Sequence, residues 1–320
     1  MRMHNGKRCL GVPACFTAVL PHLQTEVIMN AASFLDRVKS GKLLCDGAMG
    51  TQLMLAGMQP GECGEMMCID KPDAVAAIHG RYAAAGCDLV TTNSFGATRT
   101  MLVRHGVDGR LAEINAAAVK VARQGAPSAV VLGDIGPFGD FLEPVGDVTP
   151  EQCVEIFAQQ AAALREGGAD GAIIETMSDA AEMALAIKAA HSVGDWPVIA
   201  TYAFIRTNTG AFKTANGLSL QAAMDNAIEA GAHVVGANCG TSLTLPDYLD
   251  LARQLVMAAK NTPVILQPNA GSPAPGIQQA GPAEMGAIAA PLRKIGISIL
   301  GGCCGTTPEH LAVMAAAWKS

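Results

Sequence analysis

The feature that most constrains the fold is a repeated alternation of short β-rich runs with longer alanine-rich stretches, beginning at Leu43. Such alternation is typical of βα units around a parallel sheet. The candidate strands are residues 43–45, 89–92, 130–133, 171–175, 198–201, 234–238, 264–268 and 297–301. Eight strands without a GxGxxG motif after the first favour a single-domain α/β fold, the closed (β/α)8 TIM barrel, over a doubly wound sheet.

Three helix starts are visible between these strands. Thr149 precedes a proline with Gln152 three residues on, and Asp179 stands in the same spacing before Glu182. This spacing predicts a capping box, in which the two side chains satisfy each other's backbone N–H groups. Thr307 followed by proline predicts the start of the last helix.

The chain length allows one large core, because half of the 320 residues are hydrophobic and only 16% are charged. We expect the barrel to occupy residues 31–320 and residues 1–30 to form an N-terminal extension without a functional role. Residues 9–20 loosely imitate a signal peptide, but glycine and proline interrupt them and a clear cleavage site is missing. Translation that begins at Met29 is an alternative explanation of the extension.

Charge and cysteine usage exclude several classes of protein. The formal net charge of -6 and the lack of a basic run argue against a nucleic-acid partner. No stretch approaches the roughly 20 apolar residues that a membrane-spanning helix needs. Ten cysteines without a regular spacing are a poor match to a disulfide framework, so reduced thiols and a cytoplasmic location are expected.

Polar residues collect immediately after the predicted strands, where TIM-barrel active sites form. The segments at these strand ends are Asp46-Gly47-Ala48, Asn93-Ser94-Phe95, Asp134, Glu175-Thr176, Asn238-Cys239-Gly240, Asn269-Ala270-Gly271 and Gly302-Cys303-Cys304-Gly305. Carboxylates, amides and three cysteines are therefore expected around one mouth of the barrel.

Cys239 follows the sixth strand and the Cys303-Cys304 pair follows the eighth, so a barrel would bring all three thiols together. Three protein ligands and one free position are typical of catalytic zinc, and soft thiolates favour Zn²⁺ over Mg²⁺ or Ca²⁺. Any one cysteine is more often a small core residue than a ligand. That interpretation is kept for Cys9, Cys15, Cys45, Cys63, Cys68, Cys87 and Cys153.

A thiol is the natural fourth ligand of such a zinc ion, because coordination favours its ionised, nucleophilic form. No dinucleotide-binding, P-loop or Ser-His-Asp motif is visible in the sequence. Methyl transfer to sulfur is therefore the simplest reaction that these residues indicate. Asp46 and Glu175 could hold an ammonium group of the acceptor. Capping of a turn by Asp46 and of a helix by Glu175 are the alternative roles.

Four motifs, LLCDGAMGTQL, TTNSFGAT, GANCG and GGCCGTTPEH, resemble the homocysteine S-methyltransferase family from Leu43 to the last helix. The resemblance implies a zinc (β/α)8 barrel that methylates L-homocysteine to methionine. It also implies the zinc ligands and substrate-binding residues. The zinc ligands are Cys239, Cys303 and Cys304, Asp46 and Glu175 bind the ammonium, the amides near Gly47 and Ala48 bind the carboxylate, and Asn238 is a further substrate-binding candidate.

The family uses several methyl donors, and the motifs are most similar to the homocysteine module of cobalamin-dependent methionine synthase. Because no folate, corrinoid-binding or reactivation module is recognised, the resemblance implies a methylcorrinoid on a separate protein or a small donor used directly. The small donors are S-methylmethionine, S-adenosylmethionine and betaine. Few aromatic residues are available for a betaine cage, although Phe95, Tyr202 and Phe204 are candidates.

Two other functions remain open at this stage. One is a corrinoid-partner methyltransferase subunit that uses a different thiol or runs the transfer in the reverse direction. The other is a non-catalytic zinc-binding protein. A structural zinc site would close with a fourth protein ligand, whereas a catalytic site keeps one position open.

Overall fold

A computed structural model describes residues 1, 29–39, 41–240, 242–271 and 280–320. Eight parallel strands form one sheet in the order β1-β10-β9-β8-β5-β4-β3-β2, and a bridge between Cys45 and Leu89 links its two edges. These strands are β1 (Leu43–Leu44), β2 (Leu89–Thr91), β3 (Val130–Ile135), β4 (Gly171–Met177), β5 (Val198–Tyr202), β8 (Val234–Asn238), β9 (Val264–Gln267) and β10 (Ile299–Leu300). The fold is the predicted (β/α)8 barrel, because all eight predicted strands are present.

Helices surround the barrel, and the first of them precedes β1 and closes the amino end. They are α1 (Ala31–Val38), α2 (Met49–Leu55), α3 (Met67–Asp70), α4 (Pro72–Ala84), α5 (Arg99–Val103), α6 (Leu111–Gly125), α7 (Pro150–Glu166), α8 (Ala180–Ser192), α9 (Leu220–Glu229), α10 (Leu245–Ala258), α11 (Pro282–Ile295) and α12 (Pro308–Lys319). Single 3-10 turns at Gly64–Met66 and Asp108–Arg110 precede α3 and α6.

Two of the three predicted helix starts have the expected caps. Thr149 forms a capping box with Gln152, and α12 begins at Pro308 after the Thr307 cap. At α8 the prediction of a capping box is wrong, because only one of its two hydrogen bonds forms. The Asp179 side chain accepts from the Glu182 N–H, but the Glu182 carboxylate accepts from the Phe138 N–H at 2.8 Å instead. A neighbouring βα loop therefore competes successfully for that carboxylate.

A small antiparallel hairpin was not predicted. Strands β6 (Phe204–Arg206) and β7 (Phe212–Thr214) pair with each other directly after β5. Their central residues Ile205 and Lys213 are exposed, and each strand is only three residues long. Such short runs carry too little alternation to be recognised from sequence.

The barrel interior is apolar at its amino end. Its inward-facing side chains alternate along the strands and form one cluster, which α1 closes with Phe34 and Val38. The strand members of this cluster are Leu43, Cys45, Leu89, Val130, Leu132, Ile173, Ile199, Val234, Ile265 and Ile299. A second, larger core packs the outer faces of the strands against the helices.

The next inward positions, at the carboxyl ends of the strands, are polar. The period of two carries the inward face to Thr91, Asp134, Glu175, Thr201, Asn238 and Gln267. A polar layer above an apolar plug is the arrangement expected for a site at the mouth of a barrel.

The predicted N-terminal extension lies almost wholly outside the described residues, since residues 2–28 are not among them. The described part resumes at Met29, and Asn30 then caps α1 by accepting a hydrogen bond from the Ser33 N–H. None of the helices in the described part of the chain is both long and apolar enough to cross a membrane.

Candidate metal centre and its cavity

Three cysteine thiols meet at the mouth of the barrel. Cys239 directly follows β8, and Cys303 and Cys304 lie in the turn after β10. Their three Sγ atoms lie within 4.8 Å of one another, and the Sγ atoms of Cys239 and Cys304 are 3.8 Å apart. The three thiols are close enough together to hold a metal ion. No other group of three or more histidine, cysteine, aspartate or glutamate side chains among the described residues is as compact.

Backbone hydrogen bonds from the neighbouring strand end hold the Cys303-Cys304 turn. The Cys303 N–H donates to the Pro268 carbonyl at 2.9 Å, and the Ala270 N–H donates to the Cys304 carbonyl at 3.0 Å. The Thr306 hydroxyl closes the turn by donating to the Cys303 carbonyl at 2.7 Å. The two thiols are thereby oriented by the rigid end of β9.

Cys239 is held in a backbone conformation that side chains seldom adopt. Its φ is 56°, in the left-handed region, and such strain persists only where the surroundings enforce it. The Tyr248 hydroxyl donates to the Cys239 carbonyl at 2.8 Å and accepts from the Asn269 N–H at 3.0 Å. The Asn269 side-chain amide lies 3.6 Å from the Cys239 Sγ. This network turns the thiol toward its two partners.

The three thiols share their protons unequally. Hydrogen bonds from Cys303 and Cys304 lower the pKa of Cys239, while the same contacts with Cys239 raise the pKa values of the other two thiols. The cluster therefore favours one thiolate at Cys239 even before any cation arrives. A positive ion at the centre of the cluster would favour the ionised form of all three.

A cavity of about 530 Å³ lies directly above the thiols and includes all three of them in its wall. One part of the wall is apolar, with Met49, Leu53, Met54, Met58, Phe95 and Met101. The acidic residues of the wall are Glu62, Glu65, Asp134 and Glu175. His105 is the only basic side chain that the described residues contribute, so acidic groups outnumber basic ones in the cavity wall.

The two predicted ammonium-binding carboxylates occupy different positions. Glu175 lies on β4 and lines the cavity, and burial, then Asp46, raise its pKa to about 8. Asp46 is buried behind the wall, where its carboxylate accepts hydrogen bonds from the Thr91 N–H at 2.9 Å and the Thr91 hydroxyl at 3.2 Å. Burial raises the pKa of Asp46 to about 7 against the opposing effect of the Thr91 hydrogen bonds.

Gly47 and Ala48 also line the cavity, but the Ala48 amide differs from the expectation. Its N–H donates to the Thr306 hydroxyl at 3.0 Å, so it is not free for a substrate carboxylate in this structure. Gly47 packs so closely on the same hydroxyl that a Cβ atom would lie 2.6 Å from it. Thr306 thus ties the strand end of β1 to the cysteine turn.

Asn238 is buried and does not line the cavity. Its Oδ1 accepts from the Thr176 N–H and the Thr201 hydroxyl, both at 2.8 Å. Its Nδ2 donates to the Thr176 hydroxyl at 2.7 Å and lies 3.8 Å from the Cys303 Sγ. The side chain therefore positions the ends of β4, β5 and β8, and its hydrogen bonds are made within the protein.

Two further residues of the polar layer had no role assigned from sequence. Asp134 and Gln267 are buried, line the cavity, and each has a side-chain oxygen without a hydrogen-bond partner among the described residues. The signal that could have identified them is their inward position at the last turn of a strand. Polar side chains are rarely left unpaired when buried, so a ligand or a water molecule in the cavity is the expected partner.

Sequence comparison identifies relatives of the whole barrel. The sequence model of the homocysteine S-methyltransferase family matches residues 43–318. Methionine synthase of Mycobacterium leprae (strain TN) is 30% identical over 306 residues, which are 88% of this chain and 25% of that protein. Methionine synthase of Mycobacterium tuberculosis (strain ATCC 25618 / H37Rv) is 31% identical over 324 residues, 94% of this chain and 26% of that protein. The chain thus spans about a quarter of these curated relatives.

Solved structures share the fold. The homocysteine methyltransferase MmuM from Escherichia coli superposes with a TM-score of 0.71 in its metallated form, covering 90% of this chain and 99% of that chain at 21% identity. Its oxidized form gives a TM-score of 0.73, covering 89% and 98% at 21% identity. These likenesses confirm the barrel, and the match to the family model covers nearly all of it. The chain belongs to the homocysteine S-methyltransferase family.

Proposed function

We propose that this protein transfers a methyl group to the thiol of L-homocysteine, forming methionine, at a zinc ion bound by Cys239, Cys303 and Cys304. The observation that carries the proposal is the convergence of three thiols in the wall of a cavity large enough for an amino acid. Because the chain belongs to the homocysteine S-methyltransferase family, homocysteine is the acceptor that we propose. Asp46, Glu175, Gly47, Ala48 and Asn238 are the further residues of the proposed acceptor site.

The thiol geometry fits zinc. Tetrahedral Zn²⁺ with thiolate ligands at about 2.3 Å requires sulfur atoms about 3.8 Å apart. The Sγ atoms of Cys239 and Cys304 are separated by 3.8 Å. Three soft sulfur donors favour zinc over hard cations such as Mg²⁺. We assign the three cysteines as zinc ligands on this agreement.

Zinc at this position would lower the pKa of a fourth, substrate thiol, so that its nucleophilic thiolate is present at neutral pH. The thiolate sulfur then attacks the methyl carbon of the donor. A carbon–sulfur bond forms, the bond from the methyl group to its carrier breaks, and the carrier leaves with that electron pair. The apolar side chains of Met54, Met101 and Phe95 line the cavity and offer a surface for the donor's methyl group.

The chain's own residues orient the acceptor. Glu175 reaches the cavity from β4, and Asp46 is held close behind the wall by Thr91, so both carboxylates favour an ammonium group on that side. The acceptor carboxylate binds at Gly47 and Ala48, where it replaces the Thr306 hydroxyl as the partner of the Ala48 N–H. Asn238 supports the site indirectly, through Thr176 and Cys303.

The cavity also limits the methyl donor. Tyr202 and Phe204 are buried in the outer core, which leaves Phe95 as the one aromatic ring among the described lining residues. An aromatic cage for the trimethylammonium group of betaine therefore has little support. Acidic walls without lysine or arginine among the described lining favour a neutral or cationic methyl carrier over an anionic one. S-methylmethionine, S-adenosylmethionine and a methylcorrinoid meet this condition.

The arrangement supports catalysis over a non-catalytic zinc site. The described residues provide three candidate ligands in one compact group, and all three line the cavity, where a substrate thiol could reach the ion that they would hold. A structural site would be closed by a fourth side chain. A different acceptor thiol is less well supported, because the two carboxylates Asp46 and Glu175 favour an acceptor that carries an ammonium group.

The test is methionine formation by zinc-loaded protein supplied with L-homocysteine and one donor at a time. The donors are S-methylmethionine, S-adenosylmethionine, betaine, free methylcobalamin and a methylcorrinoid protein. We expect turnover with at least one neutral or cationic carrier and none with metal-free protein. The proposed function would be excluded if the zinc-loaded protein neither bound homocysteine nor methylated it with any of these donors.

A further inference from the structure

Asp134 is a buried carboxyl group that faces the cavity without a partner. It lies near the end of β3, is 7% exposed, and lines the cavity above the thiols. Its Oδ1 has no hydrogen-bond partner among the described residues. Its backbone, in contrast, is fixed, because the Ser94 hydroxyl donates to its carbonyl and its N–H lies 2.9 Å from the Thr92 Oγ1. The backbone that carries the carboxyl is therefore held in place, while the Oδ1 of the side chain has no partner in the described part of the chain.

The strand order places Asp134 between the two carboxylates of the proposed acceptor site. Strand β3 lies between β2 and β4 in the sheet. On one side, β2 supplies Thr91, which holds Asp46 and pairs with Leu132, two residues before Asp134. On the other side, β4 supplies Glu175, two residues beyond the Ile173 that pairs with Asp134. Asp46, Asp134 and Glu175 therefore form one acidic arc, and the thiols come from β8 and β10 across the barrel.

The described cavity wall offers this arc a single basic side chain, His105. Burial is the largest cause that raises the pKa of Asp134 well above its usual range, followed by the carboxylates of Glu175, Asp46 and Glu65. No lysine or arginine lines the cavity in the part of the chain that the structure describes. An unpaired buried carboxyl costs free energy, and a cationic ligand with N–H donors removes that cost.

We propose that Asp134 is a third carboxylate of the acceptor's ammonium site, contacting the substrate directly and selecting thiols that carry a protonated amine. The inference rests on the proposed function, because it concerns the same acceptor. It assigns a role to a residue that neither the motifs nor the zinc centre account for. An ammonium group placed against the arc would contact Asp134 and Glu175, with Asp46 behind them in the wall, while its thiol points across the mouth to Cys239, Cys303 and Cys304.

Asp134→Asn tests this role, because it keeps the size of the side chain and removes its charge. The matched control is Asp147→Asn, the same chemical change at an exposed residue outside the cavity wall. Calorimetric titration of each zinc-loaded full-length protein measures affinity for L-homocysteine and for 4-mercaptobutyrate. The second ligand has the same thiol and carboxylate but lacks the amine.

We expect Asp134→Asn to weaken homocysteine binding on the order of tenfold or more, the effect of losing a charge-assisted hydrogen bond, and to leave 4-mercaptobutyrate binding unchanged. Asp147→Asn should change neither affinity appreciably. Asp134→Ser provides the same comparison if the asparagine variant does not fold.

Three results would overturn the inference. They are homocysteine affinity that is unchanged in Asp134→Asn, equal weakening of both ligands, and an equal loss in Asp147→Asn. Failure of the wild-type protein to bind homocysteine is a different result, because it rejects the proposed function itself. The wild-type titration therefore separates the two failures.

Discussion

At the scale of single residues, the cavity combines groups that water would normally stabilise with surroundings that exclude water. Glu175 is the clearest example, since burial raises its pKa to about 8 and Asp46 and Cys239 add to the shift. The carboxylate form is therefore disfavoured until a positive group arrives. An acceptor ammonium provides that group, which couples substrate binding to the ionisation of the site.

Glu175→Gln should weaken homocysteine binding and leave the zinc site intact. The amide keeps the shape of the side chain but removes the charge that attracts the ammonium. We expect the KM for homocysteine to rise on the order of tenfold, with zinc content unchanged by atomic absorption. Glu166→Gln, an exposed change on α7, is the control. A variant with wild-type KM would remove Glu175 from the ammonium site.

His79 is a buried residue whose effect is on stability. It lies on α4, and neither ring nitrogen has a hydrogen-bond partner among the described residues. Burial lowers its pKa from 6.5 to about 4. Because the unfolded state binds a proton in this interval and the native state does not, the contribution of His79 to stability falls as the pH decreases from 6.5 to about 4.

Replacing His79 with leucine should remove this dependence. We expect the stability difference between variant and wild type to change by about 3 kcal/mol across the interval, in favour of the variant at acid pH. Urea unfolding of both proteins at several pH values measures the difference. Parallel pH profiles for the two proteins would show that His79 titrates normally in the native state.

At the scale of secondary-structure elements, the site depends on how closely neighbouring strands approach. Gly236 lies in β8 beside β9, and a Cβ atom there would be 1.8 Å from the Ile265 carbonyl oxygen. Cys239 directly follows β8, and the loop that holds Cys303 directly follows β9. Separation of β8 from β9 would therefore disturb both halves of the thiol cluster.

Gly236→Ala should destabilise the fold by at least about 3 kcal/mol, because a backbone atom must move to admit the methyl group. The matched control is Gly50→Ala in α2, where nothing lies within 4 Å of the added Cβ. Alanine in a helix should be neutral there or stabilising by about 0.5–1 kcal/mol. Chemical denaturation of both variants makes the comparison, and a near-native Gly236→Ala would contradict the strand spacing.

At the scale of the whole molecule, the proposed zinc ion joins elements that are far apart in sequence. Cys239 follows β8, whereas Cys303 and Cys304 follow β10, the strand that pairs with β1. A ligand that binds only the native state stabilises it by mass action, by about 4 kcal/mol at a thousandfold excess over its Kd. Zinc should therefore stabilise the barrel as a unit.

Chelation of zinc should lower the Tm of the wild-type protein, and added Zn²⁺ should restore it. Cys303→Ala should lose zinc and activity together and show no Tm response to either treatment, since two remaining thiols hold the ion poorly. Cys153→Ala, which removes a buried thiol of the outer core, is the control for the loss of a cysteine. An active Cys303→Ala protein without zinc would reject the metal site.

Local sequence patterns were sufficient to predict the strands and most helix caps. They were insufficient where two parts of the chain compete for the same hydrogen-bonding group. The eight strand runs and the caps at Thr149 and Thr307 depend on neighbouring residues, and the structure confirms them. The reciprocal bond expected of Glu182 was wrong because the Phe138 N–H, from another loop, takes its carboxylate. The β6–β7 hairpin was missed because three-residue strands carry little periodicity.

Periodicity and motifs with fixed spacing were enough to predict the barrel, the family and the three cysteine candidates. Which strand-end residues face the cavity became visible in the folded protein alone. There Asp46 lies behind Thr91, the Ala48 amide is bound to Thr306, and the Asp134 Oδ1 has no partner among the described residues. Hydrogen bonding and burial at a barrel mouth depend on residues from different strands, and no local pattern contains that information.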